Sequence, residues 1–160
     1  MSADPKDAFN ALVAESRNTV IFTGAGMSTE SGIPDFRSPG GIWTKNKPIP
    51  FQDFMTSEEA RLETWRQKFT VEKTMRHAKP NVGHMAVSQM VARGQVEKII
   101  TQNIDGLHQA SGVPESKIIE LHGNTTYARC LSCYTRHELD PIRDAFQRDE
   151  TLPVCETCGG

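Results

Sequence analysis

The four cysteines constrain this 160-residue sequence more than any other feature, because all of them lie near the C-terminus in two C-x2-C pairs. The pairs are Cys130 with Cys133 and Cys155 with Cys158. Two residues between thiolates let a tight turn direct both sulfurs at one ion, and two such turns complete the tetrahedral shell of structural zinc. A redox C-x-x-C motif leaves the second pair unexplained, and an iron–sulfur cluster usually has different spacing. We therefore predict one structural Zn²⁺ with no coordination position open for catalysis.

Composition and charge argue against a nucleic-acid-binding, a membrane-spanning or an exported protein. The formal net charge is −2, from 18 Lys and Arg against 20 Asp and Glu, so neither nucleic acid nor an anionic membrane is an expected partner. No apolar run approaches the roughly 18 residues of a membrane span, and the N-terminus lacks the apolar segment of an export signal. A reducing compartment suits cysteines that bind metal instead of forming disulfides. We expect a cytoplasmic protein.

Apolar, β-branched runs alternate along the chain with helical patterns, which predicts an α/β fold. Parallel strands are expected over 19–23, 96–101 and 117–121, and the first of them lacks alternation, as a fully buried strand would. Helical segments are expected over 6–16, 81–93 and 107–110, with two short helices over 53–76 and a loop over 38–50. Between the cysteine pairs, Asp140 suits a helix N-cap and Pro141 suits the first helical position.

Each predicted strand ends in polar or glycine residues, and the carboxyl ends of parallel strands meet at one sheet edge, where α/β proteins bind ligands. The three groups are Gly24-Ala25-Gly26, Gln102-Asn103-Ile104-Asp105 and His122. A glycine turn after a strand suits a phosphate, and a histidine at a strand end suits a general base. Taken singly, each group also fits a structural role, as a tight turn, an Asx turn or a core histidine.

Two further sets of residues are weaker candidates. The loop Asp35-Phe36-Arg37 offers a guanidinium for a phosphate and a ring for an aromatic ligand, but an ordinary surface loop would look the same. The remaining histidines have no partners at metal-binding spacing and are interpreted as structural or surface residues: His77, His84, His108 and His137.

Order, spacing and identity of these motifs together resemble the sirtuin family over about residues 6–160. The segments that carry the resemblance are 24–37 (GAGMSTESGIPDFR), 101–105 (TQNID), 121–123 (LHG) and the paired C-x2-C turns. The resemblance implies a Rossmann-like NAD-binding domain over 1–125, built on a parallel sheet with helices on both faces, with a helical cofactor-loop lobe at about 38–80. It also implies a small zinc-binding module over 126–160.

The resemblance implies an NAD-dependent protein lysine deacetylase or deacylase that consumes NAD as a substrate. The acyl oxygen of a modified lysine would attack the ribose carbon that bears nicotinamide, and water would finally give free lysine and O-acyl-ADP-ribose. His122 would be the general base toward a ribose hydroxyl, and Asn103 would order the ribose and a water. Further NAD contacts are implied for Gly24, Ala25, Gly26, Thr29, Phe36, Arg37, Gln102, Ile104 and Asp105. The implied partner is an acyl-lysine protein or peptide.

Sirtuin cores normally continue for roughly a hundred residues beyond the second cysteine pair, as a complete doubly wound domain requires. The resemblance thus implies an incomplete, N-terminal portion of the core, unstable or inactive alone and with exposed apolar strand edges. The lobe has no Tyr, and so lacks the Tyr-x-x-Arg pair of family members that remove acidic acyl groups. Alternatives are a protein mono-ADP-ribosyltransferase on the same NAD site and a non-catalytic zinc-module binding fragment. An ordinary Rossmann dehydrogenase is disfavoured by Thr29, where the third glycine would stand.

Overall fold

The structure, a computed structural model, describes residues 4–160. Its elements are, in chain order, α1 (Pro5–Glu15), β1 (Thr19–Thr23), α2 (Ile42–Lys45), α3 (Phe51–Thr56), α4 (Glu58–Met75), α5 (Val82–Ala92), β2 (Val96–Thr101), α6 (Leu107–Ala110), β3 (Ile118–Glu120), β4 (Tyr127–Arg129), β5 (Arg136–Glu138) and α7 (Leu139–Asp149). None of the helices within this range is both long enough and apolar enough to cross a membrane.

Strands β1, β2 and β3 form a parallel sheet with β2 at its centre. Ile21 of β1 is in register with Ile99 of β2, which is in register with Ile118 of β3. Ile99 is fully buried and packs in one cluster with Val87 of α5, so the centre of the sheet is covered by that helix. The parallel α/β arrangement predicted from the sequence is confirmed.

Strand β1 is not buried on both faces, contrary to the prediction. Val20 and Phe22 are 53% and 59% exposed, whereas Ile21 packs into the cluster around Ile99. Successive strand side chains point to opposite faces, and within residues 4–160 only the face that carries Ile21 is packed. An unbroken apolar run in the sequence therefore does not indicate whether one face of a strand or both faces are buried.

The segment between β1 and α5 is more helical than predicted. The expected loop over 38–50 contains the short helix α2, and the second helix of the lobe, α4, is 18 residues long instead of short. The hydroxyl of Ser57 caps α4 by accepting from the Ala60 N–H at 3.2 Å. Because neither glycine nor proline occurs from Glu58 to Met75, nothing interrupts the helix after that cap.

The C-terminal segment contains an antiparallel hairpin, β4–β5, and the helix α7. This helix begins at Leu139, after Glu138, so the prediction of Asp140 as its N-cap is wrong. The Asp140 carboxylate is instead paired with Arg143, three residues later on the same helix. Pro141 falls in the first turn, where its missing N–H costs no helical hydrogen bond.

Helix α7 packs against α4 of the lobe. The rings of Phe69 and Phe146 are 5.5 Å apart, and Leu139 is buried beside them. In the same interface, the buried guanidinium of Arg143 lies 2.7 Å from a carboxylate oxygen of Glu72. The lobe and the cysteine-bearing segment therefore share one core.

Candidate active site at the carboxyl ends of the strands

Ser28 lies at the centre of the polar residues that follow β1 and β2. Its hydroxyl donates to Asp105 Oδ2 at 2.6 Å and accepts from Asn103 Nδ2 at 3.0 Å. The same Asn103 nitrogen donates to the Gly24 carbonyl at 3.0 Å. Ser28 and Asn103 are buried, so these hydrogen bonds form away from water, where they are strongest. The ends of β1 and β2 therefore meet, as the parallel topology predicts.

A narrow cavity of about 10 Å³, room for about one water, lies beside Ser28. Five of the predicted site residues line it: Ala25, Phe36, Asn103, Ile104 and Asp105. Its other walls come from Ser28, Ile33, Pro34 and Met75. The cavity thus combines apolar surface with one carboxylate and one carboxamide, the combination that orients a small polar aromatic ligand.

Gly41 allows the loop that carries Phe36 to close tightly. A Cβ atom at Gly41 would lie 2.7 Å from the Asp35 carbonyl oxygen, closer than such atoms approach. The N–H of Ile42 donates to that carbonyl at 2.9 Å, and the N–H of Trp43 donates to the Phe36 carbonyl at 3.0 Å. These hydrogen bonds hold the Phe36 ring against Trp43, with 5.4 Å between ring centroids.

Five of the predicted NAD contacts are exposed and do not line the small cavity: Gly26, Thr29, Arg37, Gln102 and His122. The guanidinium of Arg37 lies over the Trp43 ring, 5.1 Å from its centroid. The hydroxyl of Thr29 donates to the Gly26 carbonyl at 3.0 Å. A Cβ atom at Gly26 would meet no atom of residues 4–160 within 4 Å, so the backbone there is open to an approaching ligand.

His122 follows β3 and is exposed. Its Nδ1 lies 3.0 Å from the Gln102 carbonyl oxygen, and since a carbonyl only accepts, Nδ1 carries the proton and Nε2 keeps a lone pair. This is the tautomer that a general base requires. The Gln102 N–H donates to the Thr23 carbonyl at 3.0 Å, so one residue links the end of β1 to the histidine. His122 lines a separate, open cavity of about 710 Å³ on the β3 side.

Two residues of the site were not singled out from the sequence, Ser28 and Asn81. Asn81 caps α5, and its Nδ2 donates to the Met27 carbonyl at 2.8 Å and to Ser31 Oγ at 3.1 Å, which holds the turn after β1. An asparagine at the start of a predicted helix, here the helix predicted over 81–93, is an N-cap signal and identifies Asn81. Ser28 has no such signal, because its partners are distant in sequence.

The four cysteine sulfurs form one cluster in which all lie within 4.8 Å of one another. Cys130 Sγ is 3.6 Å from Cys158 Sγ, and Cys133 Sγ is 3.6 Å from Cys155 Sγ. A tetrahedral shell with Zn–S bonds of roughly 2.3 Å separates its sulfurs by about 3.8 Å. The geometry of this donor set therefore fits a structural zinc ion, as the spacing predicts.

Hydrogen bonds around the sulfurs of the first pair, Cys130 and Cys133, favour the thiolate form, which is the form that binds zinc. The pKa of Cys133 is lowered to about 6, mainly by a hydrogen bond with the side chain of Thr135, whose Oγ1 lies 3.2 Å from Cys133 Sγ. Backbone N–H groups of the turn, foremost that of Cys133, lower the pKa of Cys130. His137 Nε2 lies 3.3 Å from Cys155 Sγ, so this histidine has a partner that its sequence spacing did not reveal.

Known proteins are similar to this chain in sequence. The Sir2 family matches residues 24–160. An NAD-dependent protein deacetylase of Rhodopseudomonas palustris is 54% identical over 147 residues, which are 92% of this chain and 58% of that protein. An NAD-dependent protein deacetylase 1 of Bradyrhizobium diazoefficiens is also 54% identical over 147 residues, with the same coverage.

Solved structures agree with the sequence comparison. A Sir2–p53 peptide–NAD⁺ structure superposes with a TM-score of 0.80 at 35% identity, covering 98% of this chain and 61% of that one. A Sir2 variant with a deacetylated p53 peptide and 3′-O-acetyl ADP ribose superposes with a TM-score of 0.80 at 37% identity, covering 96% and 61%. The chain spans 58% of the length of the two relatives named above. Because the family match extends over most of its residues, this chain belongs to the Sir2 family.

Proposed function

We propose that this chain supplies the NAD site and the zinc module of an NAD-dependent protein lysine deacetylase or deacylase. Such an enzyme consumes NAD, releases nicotinamide and forms O-acyl-ADP-ribose from an acyl-lysine protein or peptide. The observation that carries the proposal is the meeting of three strand ends, which brings Asn103, Asp105 and a histidine in the general-base tautomer to one sheet edge. The names of the relatives and the ligands of the superposed Sir2 structures support it.

The nicotinamide end of NAD is proposed to occupy the cavity beside Ser28. The Asp105 carboxylate and the backbone of Ile104 offer partners to a carboxamide, which both donates and accepts hydrogen bonds. Phe36 would cover the ring and keep water from the reacting ribose carbon. Since the cavity has room for only about one water, binding of nicotinamide requires the loop that carries Phe36 to move outward.

The phosphates and riboses of NAD are proposed to lie over the turn after β1 and the residues after β2. The open backbone at Gly26 admits a phosphate, with the exposed side chains of Thr29 and Arg37 nearby in sequence. Gln102 and Asn103 offer carboxamides to ribose hydroxyls. The Gly24 carbonyl and Ser28 orient the Asn103 carboxamide before any ligand arrives.

His122 is proposed as the general base toward a ribose hydroxyl. The hydrogen bond from Nδ1 to the Gln102 carbonyl fixes the ring, and the lone pair on Nε2 is available to take a proton. Zinc would take no part in this step, because four thiolates leave it no open position. Its role would be to hold the turn at Cys130 to the turn at Cys155.

The boundaries and the location are proposals as well. We propose an NAD-binding domain over 1–125, with its lobe at about 38–80, and a zinc module over 126–160 that packs on the lobe through α7. We also propose a cytoplasmic location, supported by four cysteines that are free of disulfides. Fractionation of cells that express the tagged protein tests the location.

The activity test measures nicotinamide release from NAD by mass spectrometry, with an acetyl-lysine peptide and the protein expressed from its complete gene. We expect release that requires the peptide and yields O-acetyl-ADP-ribose. His122→Ala should slow it by about 100- to 10,000-fold. The matched control is His77→Ala, which changes an exposed histidine and should leave the rate unaltered.

Two other outcomes of this assay would contradict the proposal. ADP-ribosylated peptide in place of free lysine would identify a mono-ADP-ribosyltransferase, and turnover independent of His122 would overturn the proposal.

A further inference from the structure

Two buried histidines, His84 and His108, have no role in the reaction proposed above. They are 0% and 2% exposed, and their ring centroids are 5.1 Å apart. Each ring has one nitrogen without a hydrogen-bond partner among residues 4–160, Nε2 in His84 and Nδ1 in His108. An unpartnered buried polar atom destabilises a protein, so two of them on neighbouring rings require an explanation.

The contact of His84 with the start of α5 fixes its tautomer. The backbone N–H of Asn81 donates to His84 Nδ1 at 3.4 Å, as part of the helix cap. Nδ1 therefore holds a lone pair, and the proton of the neutral ring is on Nε2. The unpartnered atom of His84 is a hydrogen-bond donor.

The contact of His108 with the end of β1 fixes the second tautomer. The hydroxyl of Thr23 donates its one proton to Thr101 Oγ1 at 2.9 Å. The Thr23 oxygen must then accept from His108 Nε2, which lies 3.0 Å away. Nδ1 of the neutral ring is consequently unprotonated, and the unpartnered atom of His108 is a hydrogen-bond acceptor.

We propose that His84 Nε2–H donates directly to His108 Nδ1, and that these two neutral imidazoles form a one-directional hydrogen-bond relay that positions Asn103. A linear N–H···N bond between two imidazoles places the ring centroids about 5 Å apart. The observed centroid separation of 5.1 Å is compatible with this bond, which requires the two rings to turn from the orientations seen in the structure.

Burial keeps both rings neutral, as the relay requires. Burial is the main reason why the pKa values of His84 and His108 are lowered. The nearby Asp105 carboxylate has the opposite effect and raises the pKa of both rings. At His108 the neighbouring His84 lowers the pKa further. A second proton on either ring would convert the donor–acceptor pair into two donors and break the relay.

The relay ends at the candidate active site. Thr101 Oγ1, which accepts from Thr23, also accepts from the backbone N–H of Asn103 at 3.0 Å. At the opposite end, Asn81 holds the Met27 carbonyl, next to the serine that binds the Asn103 side chain. The backbone and the side chain of Asn103 are thus held from two directions. His84 and His108 touch no proposed ligand atom and are positioning residues, a role that rests on the proposed function.

Nitrogen-15 NMR of histidine-labelled protein tests the hydrogen bond without reference to activity. We expect the Nε2–H tautomer in both rings and a scalar coupling across the bond between His84 Nε2 and His108 Nδ1. An Nδ1–H tautomer in either ring, or no coupling, overturns the proposed bond. Because no NAD is present, this result stands even where the proposed function fails.

Two variants of His84 separate the relay from the helix cap. His84→Asn keeps an acceptor near the Nδ1 position but has no donor at Nε2, whereas His84→Gln keeps the donor and loses the acceptor. We expect His84→Asn to lower kcat/KM for NAD by about 10-fold or more through displacement of Asn103, and His84→Gln to be closer to wild type. His77→Asn, at an exposed site, is the matched control. A lower kcat/KM for His84→Gln than for His84→Asn would overturn the positioning role. Absence of turnover by the wild-type protein would contradict the proposed function instead.

Discussion

The hydroxyl of Ser28 accepts from Asn103 and donates to Asp105, so its removal leaves two polar groups short of a partner. We expect Ser28→Ala to lower the free energy of unfolding by about 1–3 kcal/mol, the usual cost of a buried polar group left unsatisfied. Urea unfolding measures the change. Ser116→Ala, at an exposed side chain, should cost less than about 0.5 kcal/mol. Equal effects of the two substitutions would show that the site does not depend on this hydroxyl.

His137 Nε2 lies 3.3 Å from the sulfur of Cys155, one of the four cysteines of the zinc cluster. An N–H donated to a metal-bound thiolate offsets part of its charge, and loss of such outer contacts typically weakens metal binding by about 10- to 100-fold. We expect His137→Ala to lose zinc to a chromogenic chelator at correspondingly lower chelator concentration. His77→Ala is the control, and unchanged zinc retention in His137→Ala would contradict the role.

At the scale of elements, α4 and α7 are joined by an ion pair inside an apolar core. The side chains of Arg143 and Glu72 are each 9% exposed, whereas Asp140, which meets the same guanidinium, is 74% exposed. Removal of the buried carboxylate leaves the buried Arg143 guanidinium without its counter-charge. We therefore expect Glu72→Gln to lower the free energy of unfolding by about 3 kcal/mol. Asp140→Asn, which changes a solvent-exposed carboxylate, should cost clearly less than Glu72→Gln. Denaturant titration compares them, and similar costs would show that burial does not decide the strength of this contact.

Elements with a distinctive local pattern were predictable, including the four-residue helix α6 and the three-residue strand β3, whereas the strands of the β4–β5 hairpin were not. The β-branched runs of β1 and β2 gave their bounds because such residues favour strands without help from distant contacts. Strands β4 and β5 have three residues each, too few for a period to be visible. The observed start of α7 differs from the predicted one, because the Asp140 carboxylate pairs with Arg143 instead of capping the helix.

At the scale of the whole molecule, zinc should stabilise more than the segment that binds it. Leu139 and Phe146 of α7 share a core with Phe69 of α4. We expect zinc removal by a chelator to raise hydrogen exchange in α7 and α4, while the central strand β2 keeps its protection. Exchange that rises only over 126–160 would show that the shared core holds without the metal.

Acidification should destabilise the folded protein. Burial lowers the pKa of His84 and His108 below the ordinary value of about 6.5, so the unfolded chain binds protons there that the folded chain does not. This contribution to stability is present above about pH 6.5 and is lost as the pH falls toward the folded pKa values. The urea midpoint, followed from pH 8 to pH 5 with bound zinc measured in parallel, should fall. The double variant His84→Asn/His108→Asn should show a weaker pH dependence, and a midpoint that rises on acidification would contradict the assignment.

The sequence alone determined the features that depend on local spacing and composition. Two residues between paired thiolates suffice to predict a zinc site, and polar or glycine residues after several parallel strands suffice to predict that these residues meet at one sheet edge. The tertiary structure decided which atoms meet across the chain. Ser28 and Asn103 are 75 positions apart, and Thr23 and His108 are 85 positions apart. No local pattern encodes such a contact, because the hydrogen bonds form only after the sheet brings the strand ends together and excludes water from them.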